Sequence, residues 1–155
     1  WMSRLCETYA DFSEMDVMNI PGSGAAGGIG GALGGVLGAT MAQGIHKVLD
    51  IAGFGQKLKS CDLVITGEGR ADIQTLRGKV PVGVLEYSRR HRAPGKSPKV
   101  ILIAGRLSDK EQLLEAGFDA VLQVTPEDTP LPVALAPATA EANITRTIKE
   151  YQANL

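Results

Sequence analysis

The chain has 155 residues, with 16 basic and 17 acidic side chains, a formal net charge of −1, 44% hydrophobic residues and 5% aromatic residues. That length suffices for one good core, and the composition excludes a disordered chain and a nucleic-acid binder acting through bulk charge. Cys6 and Cys61 are too few for a disulfide scaffold and lack metal-site spacing. Glycine departs from the ordinary: of 19 residues, ten fall between Gly22 and Gly44.

In chain order, Ser3 to Phe12 reads as a short helix and Asp16 to Ile20 as a short extended entry. Pro21-Gly22-Ser23-Gly24 then turns the chain into a glycine-rich helix from about Ala25 to Met41. Val17 to Ile45 carries no formal charge over 29 residues, which suggests a membrane span. Pro21, Asn19, Gln43 and the glycines leave too few large side chains to gain transfer energy, so no membrane is expected. Gly27/Gly31/Gly35 and Gly30/Gly34/Gly38 instead suit close backbone packing, with Ile29, Leu33, Val36 and Leu37 expected to face the core. Each interior glycine costs about 1 kcal/mol relative to alanine, so the run needs a packing or ligand reason. Ile45 to Ala52 is a second helix stopped by Gly53 and Gly55, followed by a helical turn over Gln56 to Lys59.

From residue 61 the pattern changes. Asp62 to Thr66 is a buried strand followed by a loop, Lys79 to Arg90 a helix, and Lys99 to Ala104 a second strand ended by Gly105. Lys110 to Ala116 is a helix stopped by Gly117, and Ala120 to Val124 a third strand. After a proline-rich turn, the last helix places Ile144, Ile148, Tyr151 and Leu155 on one face, its start delayed by Pro132 and Pro137. Strands alternating with helices predict an α/β fold with a parallel, Rossmann-like, doubly wound sheet. The sheet is incomplete, because three strands are visible where five or six are usual. Residues 1–60 are read as a glycine-rich helical segment of a second domain, and residues 61–155 as the C-terminal part of the parallel α/β domain. The short sheet and Trp1 lead to the expectation of a fragment whose missing strands lie upstream.

Gly22-Ser23-Gly24-Ala25-Ala26-Gly27 satisfies G-x-G-x-x-G, but the strand before it is poor and Asp50 lies in a helix. A dinucleotide site is therefore not expected. A glycine turn entering a helix still offers N–H groups to an anion, or serves only as a tight turn. Ile65-Thr66-Gly67-Glu68-Gly69-Arg70-Ala71-Asp72-Ile73-Gln74-Thr75 is more informative. It lies past the C-terminal end of a buried strand, where open α/β sheets place ligands, and it crowds several polar functions into one turn. Gly78-Lys79 follows at a helix start, where a cation opposes the helix dipole and calls for an anion. This is not a Walker A loop, since Ile73 replaces its first glycine and Val80 its Ser/Thr. Arg89-Arg90-His91-Arg92 suits a helix C-terminus, His46 suits packing or solvation, and Ser23 has no triad partners nearby.

Three stretches together resemble the bacterial-type glycerate kinase family. They are Pro21 to Gly28, the block from Asp62 to Thr75 with Gly67-Glu68-Gly69-Arg70, Asp72, Gln74 and Thr75, and Gly78-Lys79. The similarity covers nearly the whole chain. It implies transfer of the ATP γ-phosphoryl group, with Mg²⁺, to a hydroxyl of D-glycerate, giving 2- or 3-phosphoglycerate. The resemblance further implies Asp72, Glu68 and Lys79 as catalytic residues, with Asp72 and Glu68 each open as base or metal ligand. Gly22, Ser23, Gly24, Gly27, Gly67, Gly69, Arg70, Gln74 and Thr75 become substrate- or phosphate-binding candidates. The family's N-terminal half, with an Asp-Ser-Phe-Lys-Gly-type segment, is absent, so the chain by itself is expected to be nearly inactive. Its partner would be that half or a second chain, a homo-oligomer being open, and its location cytoplasmic. The competing readings are a non-catalytic α/β module binding a sugar acid or nucleotide, and a purely structural domain.

Overall fold

A computed structural model of the chain describes residues 1–13 and 15–154. They form two compact units, Trp1–Lys47 and Val48–Leu155, a division ahead of the residue-60 boundary read from the sequence.

The first unit holds α1 (Met2–Ala10), a 3₁₀ turn (Val17–Asn19) and α2 (Ala25–Gly31), which continues as a π-helical stretch over Ala32–Val36. The entry segment curls instead of extending. The Asp16 carboxylate accepts hydrogen bonds from the Met18 backbone N–H at 3.2 Å and from Asn19 Nδ2 at 2.6 Å. The glycine helix is also shorter than expected. Ala26, Gly27 and Gly28 have φ of +50°, +69° and +99°, and Gly38 with φ +65° lies just past its end. Left-handed backbone is cheap for glycine and costly for alanine.

The expected facing is reversed. Ile29, Leu33, Val36 and Leu37 are between 37% and 73% exposed, whereas Gly30, Gly31, Gly34 and Gly35 are buried. The cause is the close approach of other atoms to the glycine stripe. A Cβ on Gly31 would lie 2.8 Å from Val17 Cγ1, and one on Gly35 would lie 2.5 Å from Val17 Cγ2. A Cβ on Gly30 would collide with the backbone carbonyl of Gly22. Val17, 2% exposed, is the side chain that fills this contact.

The second unit begins within α3 (Gly44–Ile51) and continues through α4 (Phe54–Leu58), β1 (Leu63–Ala71), α5 (Val80–His91), β2 (Lys99–Leu107), α6 (Lys110–Glu115), β3 (Ala120–Gln123), α7 (Leu131–Ala134) and α8 (Pro137–Ala153). The three strands are parallel in the order β1-β2-β3, as the alternating pattern predicts. Val100, Ile101, Leu102, Leu113 and Val121 form its best-buried core. Tyr87 on α5 donates to Asp50 Oδ1 at 2.7 Å and stacks on His91 with ring centroids 3.9 Å apart. The Asp50 carboxylate accepting this proton, aided by burial, raises the Tyr87 hydroxyl above its ordinary value of 10.0. The bond therefore stabilises fully below pH about 10 and is lost as pH rises through the raised value.

β1 and β2 run further than the sequence suggests. Gly67 to Ala71, expected as a loop, stays in the strand and pairs with β2 as far as Ala71 with Leu107; Gly105 lies inside β2 instead of ending it. These glycines permit pairing at very short range. A Cβ on Gly67 would lie 2.9 Å from Ile103 Cγ1, and one on Gly105 would lie 2.7 Å from the Gly69 carbonyl oxygen. Glycine inside a strand here marks close backbone approach. In α8, Thr147 is the buried residue, Ile144 is 41% exposed, and Ile148 and Tyr151 are half-buried. Leu155 lies outside the described residues.

The glycine stripe yields a stability test by chemical denaturation. Gly30→Ala is expected to lose about 1–3 kcal/mol through overpacking against Gly22. Gly44→Ala, at an exposed helix start with nothing within 4 Å, should be neutral or gain up to about 1 kcal/mol.

Candidate active site

The C-terminal end of β1 delivers the chain into a short 3₁₀ turn, Ile73–Leu76, which hands it to α5 through Gly78 and Lys79. Asp72 caps that turn. Its Oδ1 accepts the Gln74 N–H at 2.9 Å, and its carbonyl accepts the Thr75 N–H at 2.9 Å. An Asp at a turn start is favoured because its short carboxylate satisfies N–H groups that lack intrahelical partners.

Thr75 is 0% exposed. Its hydroxyl donates to Glu68 Oε1 at 2.5 Å and accepts the Asp72 N–H at 3.1 Å. One buried hydroxyl thus locks the β1 carboxylate to the turn that carries the second carboxylate. The Ile73 N–H donates to Asp109 Oδ2 at 3.0 Å, tying the turn to the end of β2.

Lys79, at the N-terminal boundary of α5, points back to this pair. Its Nζ lies 3.8 Å from Glu68 Oε2 and 3.9 Å from Asp72 Oδ1. Those carboxylates supply the anions that a lysine at a helix start calls for. Both separations exceed hydrogen-bond length, so neither acid accepts a hydrogen bond from the ammonium. The lysine side chain is 41% exposed, and those of Glu68 and Asp72 are 16% and 20% exposed. Arg70 Nε stands 3.6 Å from Asp72 Oδ2, with its side chain 73% exposed. The result is a cationic group, reachable from solvent, poised over two half-buried carboxylates.

The structure therefore brings together Glu68, Arg70, Asp72, Thr75 and Lys79, with Gln74 exposed on the same turn. Gly67 and Gly69 sit one residue either side of Glu68 on β1, and all three line one cavity. This cavity, of about 340 Å³, lies beneath α7 and α8 and is also lined by Ile103, Gly105, Leu131, Leu135 and Ile144. Gly22, Ser23, Gly24 and Gly27 belong to the first unit, where the Ser23 carbonyl accepts the Gly31 N–H at 2.8 Å. Among the described residues no group of three or more His, Cys, Asp or Glu is placed to hold a metal ion. Glu68 and Asp72 are oxygen donors of the type that a Mg²⁺ ion takes. Asp109 adds a residue that no local sequence signal marks, although it follows the end of β2 much as Asp72 follows β1.

A model of the glycerate kinase family matches residues 1–154. The chain belongs to the glycerate kinase family. It is 43% identical over 139 residues to a glycerate kinase of Bacillus cereus, covering 89% of this chain and 35% of that protein. It is 37% identical over 124 residues to the glycerate 2-kinase of Escherichia coli K12, covering 79% of this chain and 31% of that one. A crystal structure assigned to glycerate kinase 2 from Salmonella typhimurium LT2 matches with a TM-score of 0.60 and 38% identity, over 97% of this chain and 38% of that one. The chain spans about a third of the length of the curated relatives it matches. No helix among the described residues is long and apolar enough to cross a membrane.

Thr75→Val tests the internal lock. Loss of the hydroxyl leaves Asp72 N–H and the Glu68 carboxylate without this partner and should cost about 1–3 kcal/mol in denaturant titration, whereas Thr75→Ser should cost less.

Proposed function

We propose that this chain forms the C-terminal part of a glycerate kinase and that Glu68, Asp72 and Lys79 act in phosphoryl transfer from ATP to D-glycerate. One observation carries the reading: in a chain of this family, an accessible ammonium lies over two carboxylates without being hydrogen-bonded to either. Phosphoryl transfer demands mainly positioning and neutralisation of phosphate charge. The Lys79 ammonium retains donors for a phosphate oxygen or the glycerate carboxylate, and Arg70 extends the positive rim. In the reaction the glycerate hydroxyl oxygen bonds to the γ-phosphorus, the bond to the β,γ-bridging oxygen breaks, and ADP leaves. Asp72 or Glu68 takes the hydroxyl proton, and the other carboxylate would hold Mg²⁺. When bound, Mg²⁺ neutralises charge on the β- and γ-phosphate oxygens.

Within the second unit the backbone at Gly67 and Gly69 is read as a binding surface, with Gln74 at the rim and Thr75 holding Glu68; in the first unit the glycine turn at Gly22 to Gly27 is read, by itself, as an anion-binding surface. The enzyme is read as cytoplasmic, needing the remainder of the longer protein, with no nucleic-acid partner.

In the full-length protein, Asp72→Asn and Lys79→Ala should each lower kcat/KM for D-glycerate by about 10²-fold or more, with the circular dichroism spectrum unchanged. Turnover at the parental rate in both variants contradicts the assignment. A change in ligand affinity alone, in a protein with no turnover, favours the non-catalytic binding module.

A further inference from the structure

Asp109 is unusual on two counts. It is one of two non-glycine residues with positive φ among the described residues, at φ +53° and ψ +39°. Such backbone costs a residue with a Cβ more than it costs glycine, although aspartate and asparagine adopt it more readily than other residues. It also stands at the N-cap position of α6, where an aspartate normally accepts N–H groups of its own helix. Its carboxylate makes no such cap; instead, Oδ2 accepts the N–H of Ile73, 36 residues away in sequence.

That N–H belongs to the peptide joining Asp72 to Ile73, so holding it sets how the Asp72 side chain leaves the backbone. The neighbouring residue adds a second tie, since the Ser108 N–H donates to the Ala71 carbonyl at 3.0 Å. Together these bonds anchor the segment between β1 and the 3₁₀ turn to the end of β2. The turn in turn carries Asp72 and Thr75, and Thr75 holds Glu68. The turn that presents Asp72, and the Thr75 that holds Glu68, are therefore tied to the end of β2 by a bond that Asp109 makes from left-handed backbone.

We infer that Asp109 is a positioning residue for the Glu68–Asp72–Lys79 cluster, using its carboxylate to clamp the Ile73 amide at the expense of capping its own helix. The inference rests on the proposed reading of that cluster as the phosphoryl-transfer site. It predicts that strain and function separate on substitution. Glycine accepts a left-handed backbone without cost but has no acceptor, whereas asparagine tolerates that backbone and keeps a carbonyl acceptor.

The test uses the full-length protein and three readouts: kinetics with D-glycerate and ATP, melting temperature, and hydrogen exchange at the Ile73 amide. Asp109→Gly should melt at or above the parental temperature, yet lose at least about tenfold in kcat, with both KM values little changed and the Ile73 amide exchanging faster. Asp109→Asn should keep most of the turnover and the protection. Parental kcat and parental protection in Asp109→Gly overturn the inference, as does an equal loss of kcat in both variants. If the parental protein phosphorylates no D-glycerate, the functional reading fails by itself. Ile73 exchange then decides the clamp, and unchanged protection in Asp109→Gly overturns it.

Discussion

The hydroxyl of Thr75 is the contact on which the candidate site depends. It is fully buried, donates to Glu68 and accepts from the Asp72 backbone. Two acids on different local elements, one on a strand and one at a turn, are thereby held as a single unit. A buried hydroxyl with both functions satisfied is rigid, because any rotation leaves a polar group unpaired in a poorly solvated place. The adjacent Lys79 ammonium then meets a fixed anionic surface, which is the condition under which electrostatic preorganisation helps a reaction.

This arrangement follows from how far the parallel pairing runs. The last residues of β1 remain in register with β2 down to Ala71 and Leu107. Glu68 is consequently a strand residue with its carboxylate directed by the pleat, and only the residues from Asp72 onward turn away. Gly67 and Gly105 permit this extension, since a Cβ at either would run into the facing strand. The polar cluster is therefore assembled at the carboxyl end of the sheet by backbone geometry as much as by side-chain choice, where open α/β folds place their ligands.

Much of this was legible in the sequence. Alternating apolar runs predicted the parallel three-stranded sheet, and Glu68, Asp72, Thr75 and Lys79 stood out through their crowding after a buried strand. The strand lengths were not legible, because glycine reads as a breaker by its intrinsic preference while its use here is close approach. The facing of the glycine helix departs from the periodic expectation for a related reason. Periodicity places Ile29, Leu33 and Val36 on one stripe, but the tighter contact forms on the stripe without side chains, around Val17. Asp109 was invisible because nothing local distinguishes a capping aspartate from one that reaches a distant amide.

Family membership and geometry meet at Lys79 between its two carboxylates. The most direct measurement is a crystal structure of the full-length protein with D-glycerate and a non-hydrolysable Mg²⁺–ATP analogue. The account predicts a ligand phosphate or carboxylate oxygen within hydrogen-bond distance of Lys79 Nζ, with the glycerate hydroxyl or the metal against Asp72 or Glu68. Both ligands bound elsewhere, with Lys79 still over Glu68 and Asp72 and touching neither ligand, would contradict it.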